Sequence, residues 1–248
     1  MARAPVLHTG TLTFNCSRQP FADPKVRRAL AFAVDRRRAT EAGLRDRAHI
    51  AHSFVRPGTG GFEPPVAYPH DPAAARKLLE EAGFPGGRGF PKTELRVAGG
   101  GTDITAIAEA LQQMWKLHLG IEVAITTTEL KTMLGSFRTR DYDLGLIGYF
   151  YALDDASDAL ATRCGQGNAN NFAHWTDPRF EAGMVELRHA KTPTERFALF
   201  TQLENLLAAE VPYLPLFHAD RVHLLHPTVK GWRGNRFALI DWWDLWLE

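Results

Sequence analysis

Between Glu94 and Gly148 the hydrophobic pattern changes period four times, and that alternation leaves few folds open. Glu94–Ala98 reads as a short strand. In Asp103–Leu119, the residues Ile104, Ile107, Ala108, Leu111, Trp115 and Leu119 form one helical stripe, and Gly120 stops it. Ile121–Thr126 is β-branched, and Thr128–Phe137 returns to helical spacing. Tyr142–Gly148 is nearly continuously apolar after its first two residues, as expected of a strand covered on both faces. Strand, helix, strand, helix, strand in this order implies α/β layering with parallel pairing. The unit's last part, Met114–Ser157, runs into an aromatic and acidic loop, Tyr149–Asp155, the expected point of contact with a small molecule.

The flanking segments carry clear punctuation. Gly10–Asn15 alternates like a short strand. Asp23-Pro24 opens a helix with Val26, Ala29, Leu30, Ala33 and Val34 on one side, because Asp accepts from an early N–H and Pro fits the first turn. Arg27, Arg28 and the Asp35–Arg38 cluster then fall on the other side, as a solvated face or, alternatively, an anion site. Residues 45–70 read as irregular. Their Pro57–Gly61 glycines lack the following Gly-Lys-Ser/Thr of a phosphate loop and read as surface loop. Asp71-Pro72 caps a second helix ending at Gly83. Gly99–Gly101 reads as a strand-to-helix turn, with backbone approach to a ligand as the alternative. Asp177-Pro178 and Thr192-Pro193 open two more helices, and Tyr213–Phe217 and Arg221–Leu225 read as two short strands divided by His218–Asp220. The tail from Trp232 holds four of the six tryptophans, an aromatic surface that should be packed, in this chain or against something else.

Composition narrows the function. The formal net charge of +1 over 248 residues gives no electrostatic footprint for nucleic acid. No apolar run approaches the roughly 20 residues of a spanning helix, and the first residues lack a secretory apolar core. Cys16 and Cys164 read as two buried free thiols, with one long-range disulfide as the alternative. His218, Asp220 and His223 are the one combination with metal-ligand chemistry, but strand alternation turns His223 away from the other two, so no metal and no cofactor is expected. Asp154, Asp155 and Asp158 resemble a paired-acid site, yet two stand where helix N-terminal carboxylates belong. There is no GxSxG, and a binding protein is expected rather than an enzyme.

Three blocks in order carry a resemblance. TLTFNCSRQPFADPKVRRALAFAVDR resembles the pattern FN…PFxDxxVRxAlxxAiDR; DPAAARKLLEEAGFPGG resembles A+kLLxEAGyp; MWKLHLGIEV followed by DYDLGLIGY resembles WkkxLGIxVxl…yDxxxxgW. Together they resemble the family 5 extracellular solute-binding proteins of ABC importers, which include oligopeptide and dipeptide binders. The resemblance implies the C-terminal half of a two-lobed periplasmic-binding-protein-like α/β fold of type II. It divides the chain into a strand and hinge segment at 1–22, a C-terminal lobe at 23–211 and returning strands with the tryptophan-rich tail at 212–248. It further implies a first lobe outside this chain that also carries the secretion signal, a membrane permease as partner, and a periplasmic or extracellular membrane-associated setting for the full-length protein. The edges of the strands at Thr11–Asn15 and after Pro212, and the C-terminal tryptophans, should then be unusually exposed.

For ligand contact, the resemblance selects Leu130, Leu146, Tyr149, Phe150, Tyr151, Asp154 and Asp155. Glu129-Leu130-Lys131 stands where oligopeptide binders have Glu-Trp-Lys, and Tyr149–Ala156 stands where they have a W-x-x-D-Y-x-D-P-like loop. Tyr149 matches that Trp and Asp155 the second acid. Ala152 replaces the Asp that pairs with a peptide's amino group, and Leu146 replaces an Arg found in some members. The expected function is capture of a solute, peptide by default, between closing lobes. The lost Asp removes a charge-assisted bond and opens the alternatives of a sugar, an opine-like compound or a metal chelate. A truncated product without transport activity is the remaining alternative.

Overall fold

The computed structural model describes residues 2–99, 102–237 and 239–248. Gly100 and Gly101, two of the three residues of the glycine turn read from the sequence, lie outside the described residues.

The chain opens with β1 (Ala2–Phe14), far longer than the strand expected at Gly10–Asn15. Asp23 caps α1 (Pro24–Phe32) by accepting from Lys25 N. The expected single helix is in fact two, because Asp35 caps a second start, α2 (Arg36–Gly43), through Arg38 N. β2 (Ala48–Ile50) is a strand within the segment expected to be irregular. Asp71 caps α3 (Pro72–Glu81), and β3 (Thr93–Ala98) follows. The described helix α4 (Thr102–Leu119) ends at Gly120, whose φ of 69° and close contact with Gly86 O leave no room for a side chain. Next come β4 (Val123–Thr128), α5 (Leu130–Thr139), β5 (Leu144–Phe150), α6 (Ala156–Arg163), α7 (Pro178–Leu187) and α8 (Pro193–Glu210). Thr192 and Glu195 form a reciprocal capping box at the start of α8. β6 (Tyr213–His223) precedes a small ribbon of β7 (Val229–Lys230) and β8 (Trp246–Leu247).

Six strands form one mixed sheet in the order β2-β6-β1-β5-β3-β4. β3 is parallel to β4 and β5, as the alternation required, whereas β1 is antiparallel to β5 and β6. β1 is therefore central and paired on both sides, which corrects the expectation of an exposed edge there. β6 is one continuous strand, not two: His218 pairs with Thr9, Ala219 with Ala48 and Asp220 with Pro5. Its polar residues are tolerated because they are bonded. Thr9 Oγ1 lies 3.1 Å from His218 Nδ1, and Asp220 receives the buried Arg56 guanidinium at 2.9 Å.

Helices cover both faces. On one, Leu12, Leu95, Val97, Leu144 and Leu214 pack on Ile107, Leu111 and Trp115, and Trp115 Nε1 ties α4 to α1 by donating to Leu30 O at 3.0 Å. On the other, Leu7, Tyr149, Tyr151 and Tyr213 pack on Leu160, Phe180, Phe200 and Leu203, while Met133, Phe137, Tyr142 and Phe172 form a smaller cluster. Arg27 and Arg36 do not join a solvated face. Both are buried and donate to backbone carbonyls, Arg27 to Phe21 and Glu210, Arg36 to Ala51, Ala67 and Tyr68. Cys16 and Cys164 are free thiols. No helix among the described residues is long and apolar enough to cross a membrane.

Candidate functional site

The parallel strands β3 and β5 end at the same side of the sheet, where chains of this architecture open a crevice for ligands. An apolar cleft of about 190 Å³ occupies that end. Its floor comes from β1 and β5 through Gly10, Thr11, Ile147 and Gly148. Ile104 and Ile107 of α4, Leu130 at the start of α5, and His8 and Phe217 add to the lining. Gly10 and Gly148 face each other across the strand pair. A Cβ on Gly148 would sit 2.2 Å from His8 Nε2, and one on Gly10 would sit 2.2 Å from Phe217 Cζ. The two rings thus lie where side chains would otherwise project.

The sheet divides the seven residues selected from the sequence. Leu130 and Leu146 line the cleft. Phe150 stands beside it, 57% exposed, with its ring centroid 4.6 Å from that of His8. Tyr149 and Tyr151 belong to the other face, because successive side chains of a strand alternate. Tyr149 is buried against Phe54 at 5.2 Å, with the Arg163 guanidinium over its ring at 4.7 Å. The Tyr151 hydroxyl is held by Thr9 Oγ1 and accepts from Arg56 N at 3.3 Å. Asp154 accepts from Gly60 N at 2.9 Å and pairs with Arg236 at 3.1 Å. Asp155 caps α6 by accepting from Ser157 N at 2.8 Å and pairs with Arg196 at 2.8 Å. Asp158 accepts from Ala152 N and Leu153 N, closing the loop on itself. Among the described residues the seven are not brought into one pocket: two rings are core and two carboxylates hold elements together.

The cleft's electrostatics are neutral. Burial, with Arg56 and Arg163 nearby, pushes His8 down to about 4, so its imidazole is uncharged at neutral pH. Burial and the same Arg56 push His218 down to about 3. Burial raises the Tyr149 phenol well above its usual range. Burial works against ionisation of Asp155, but hydrogen bonds from Ser157 and the Arg196 guanidinium bring its carboxyl below the usual range. The His218, Asp220 and His223 combination is dispersed: His49 and Arg56 take Asp220, and His223 lies against Trp232 at 5.3 Å. Among the described residues, no group of three or more His, Cys, Asp or Glu side chains is placed to hold a metal.

Sequence reasoning missed His8, Gly10, Gly148 and Phe217. A signal existed in part: glycines inside apolar strands mark close approach of another group.

Comparison with known proteins agrees with this architecture. Residues 1–171 match the family described as bacterial extracellular solute-binding proteins, family 5 Middle. Among curated proteins, the chain is 29% identical over 241 residues to the probable deoxycholate-binding periplasmic protein YgiS of Escherichia coli, covering 92% of this chain and 43% of that one. It is 25% identical over 240 residues to di/tripeptide-binding protein 1 of Pseudomonas aeruginosa, covering 95% and 44%. The solved murein tripeptide binding protein MppA of Escherichia coli superposes with a TM-score of 0.88 at 26% identity, covering 99% of this chain and 49% of that one. The chain spans about half the length of the relatives it matches, the extent of one lobe. With a family match over more than half its residues, the chain belongs to the family 5 bacterial extracellular solute-binding proteins.

Proposed function

We propose that this chain supplies one face of an inter-lobe cleft in which a solute is captured for an ABC importer. The observation that carries this reading is the apolar cleft at the carboxyl ends of β3 and β5. The half of the relatives that this chain does not match would supply the facing lobe, and the hinge would run through β1 and β6, with 1–22 and 212–248 as the connecting segments. The tryptophan-rich tail, with Trp243 97% exposed, is then the surface the first lobe covers. A periplasmic or extracellular setting and delivery to a permease follow from the same reading. The chain acts by binding, not by chemistry: the loop acids that would be candidates for catalysis are engaged with Arg236 and Arg196.

Leu130, Leu146 and Phe150, joined by His8 and Phe217, are the ligand-contacting set in this proposal. Peptide is the first class to test, since relatives include a di/tripeptide-binding and a murein tripeptide binding protein. A second reading, a non-peptide solute, is favoured by one observation. Ala152 offers no carboxylate and Asp154 and Asp155 are already paired with arginines, so neither loop acid is free for a peptide amino group. The deoxycholate-binding name of one relative fits that second reading. A thermal-shift screen of the two-lobed protein with di- and tripeptides, sugars, chelates and bile acids tests both. Stabilisation by peptides alone supports the first class; stabilisation by a non-peptide with none by peptides removes it. Turnover of the bound compound contradicts the binding role itself.

A further inference from the structure

The cleft has a built aromatic side. The rings of Phe150, His8 and Phe217 follow one another, with centroids 4.6 Å apart for the first pair and 6.0 Å for the second, the latter nearly parallel at 29°. The Phe217 ring rests on Gly10 and the His8 ring on Gly148, where a Cβ would collide with each. Leu130, half exposed at the start of α5, lines the same cleft.

Charged recognition is missing among its described lining residues. No described side chain lining the cleft carries a charge. The Thr11 hydroxyl is already committed to Ile147 O at 3.0 Å, and His8 Nδ1 is buried. Asp220 and Asp154, the acids nearest in sequence to Phe217 and Phe150, are paired with Arg56 and Arg236. A charged group entering here would lose water and gain nothing in return. An apolar ring would gain dispersion contacts on the shelf and lose ordered water. The size also fits: an apolar cavity of about 150 Å³ holds benzene, and this one measures about 190 Å³.

We propose that the solute is one that presents an uncharged ring, inserted between the Phe150–His8–Phe217 shelf and Leu130, with its polar groups directed out of this lobe. The inference rests on the capture reading above and specifies the chemical class that this face selects. It excludes recognition of a peptide by its charged amino terminus on this side of the cleft.

The test uses the 248-residue chain with two probes, indole and trialanine, followed by NMR at His8 and at Ile147–Phe150. Indole should shift these resonances saturably, while trialanine at equal concentration leaves them in place. Phe150→Ala removes an exposed ring, and Leu130→Asp places an acid in a first helical turn that tolerates one, so both variants should fold; each should weaken indole binding at least threefold. Trialanine shifting the same resonances as strongly as indole, indole giving no saturable shift, or both variants binding indole like the parent would overturn the ring class. The capture reading is judged separately, by the solute screen on the two-lobed protein. Trialanine bound in the cleft would remove the ring class and leave capture standing. Indole bound here, with no solute stabilising the two-lobed protein, would do the reverse.

Discussion

At the residue scale, three buried titratable groups give the fold a dependence on pH whose sign can be worked out. Glu204 of α8 is fully buried and accepts from Phe54 N at 3.0 Å and Val55 N at 2.6 Å, holding the loop after β2. Burial outweighs those two bonds and raises its carboxyl from 4.5 to about 7. The folded state therefore keeps a proton that the unfolded chain releases. Stability from this group falls as pH rises from about 4.5 to about 7 and is level above, a change on the order of 3 kcal/mol. His8 and His218 act oppositely: their folded values near 4 and 3 lie below 6.5, so stability is lost as pH falls from 6.5 toward those values. Subtracting the urea-unfolding free energy of Glu204→Gln from that of the parent, pH by pH, should isolate the first slope; a difference that does not vary between pH 4.5 and 7 would contradict it. A second expectation concerns space. Gly10→Ala should cost about 2 kcal/mol, since its Cβ would overlap the Phe217 ring and overpacking costs of that size are usual. Chemical denaturation showing an unchanged midpoint would mean the ring moves freely.

At the element scale, helix starts were the most legible part of the sequence. Asp23, Asp71, Asp177 and Thr192 all cap the helices that their Asp-Pro or Thr-Pro pairs announced. Asp35 does not stand out as a cap in the sequence, because no break in apolar spacing or Pro accompanies it; the structure shows the break. β2 has three residues and no pattern of its own, so its existence depends on pairing with β6. β6 was divided at His218 and Asp220 because their partners, Thr9 and Arg56, are over 160 residues away. The candidate site was legible in the same uneven way. Leu130 and Leu146 fell in the cleft, but Tyr149 and Tyr151 followed the strand's period of two to the opposite face. The roles of Asp154 and Asp155 were set by Arg236 and Arg196, which no local pattern links to them. Asp155→Ala should therefore lower stability by about 1 kcal/mol through the lost α6 cap, while leaving solute affinity unchanged. Calorimetry showing a large affinity loss without a stability loss would return Asp155 to the site.

At the scale of the whole molecule, the described chain leaves a broad apolar surface in its last residues: Trp242, Trp243, Trp246 and Leu247 are all more than half exposed. Water tolerates a few such side chains singly but not a contiguous group. The 248-residue chain alone should associate in a concentration-dependent way in sedimentation experiments, and Trp243→Lys should reduce that association. A strictly monomeric parent at high concentration would mean the tail finds another resting place. The same surface fits the first lobe in the proposed two-lobed protein.

The central claim is that solute is held at the carboxyl ends of β3 and β5, against Leu130 and the Ile147–Phe150 segment. Hydrogen–deuterium exchange on the two-lobed protein, with and without a solute that stabilises it, tests this most directly. Exchange should slow at the start of α5 and at the end of β5, where solute and the closing lobe exclude water. Protection confined to another surface of this lobe, with those two segments unchanged, would contradict it.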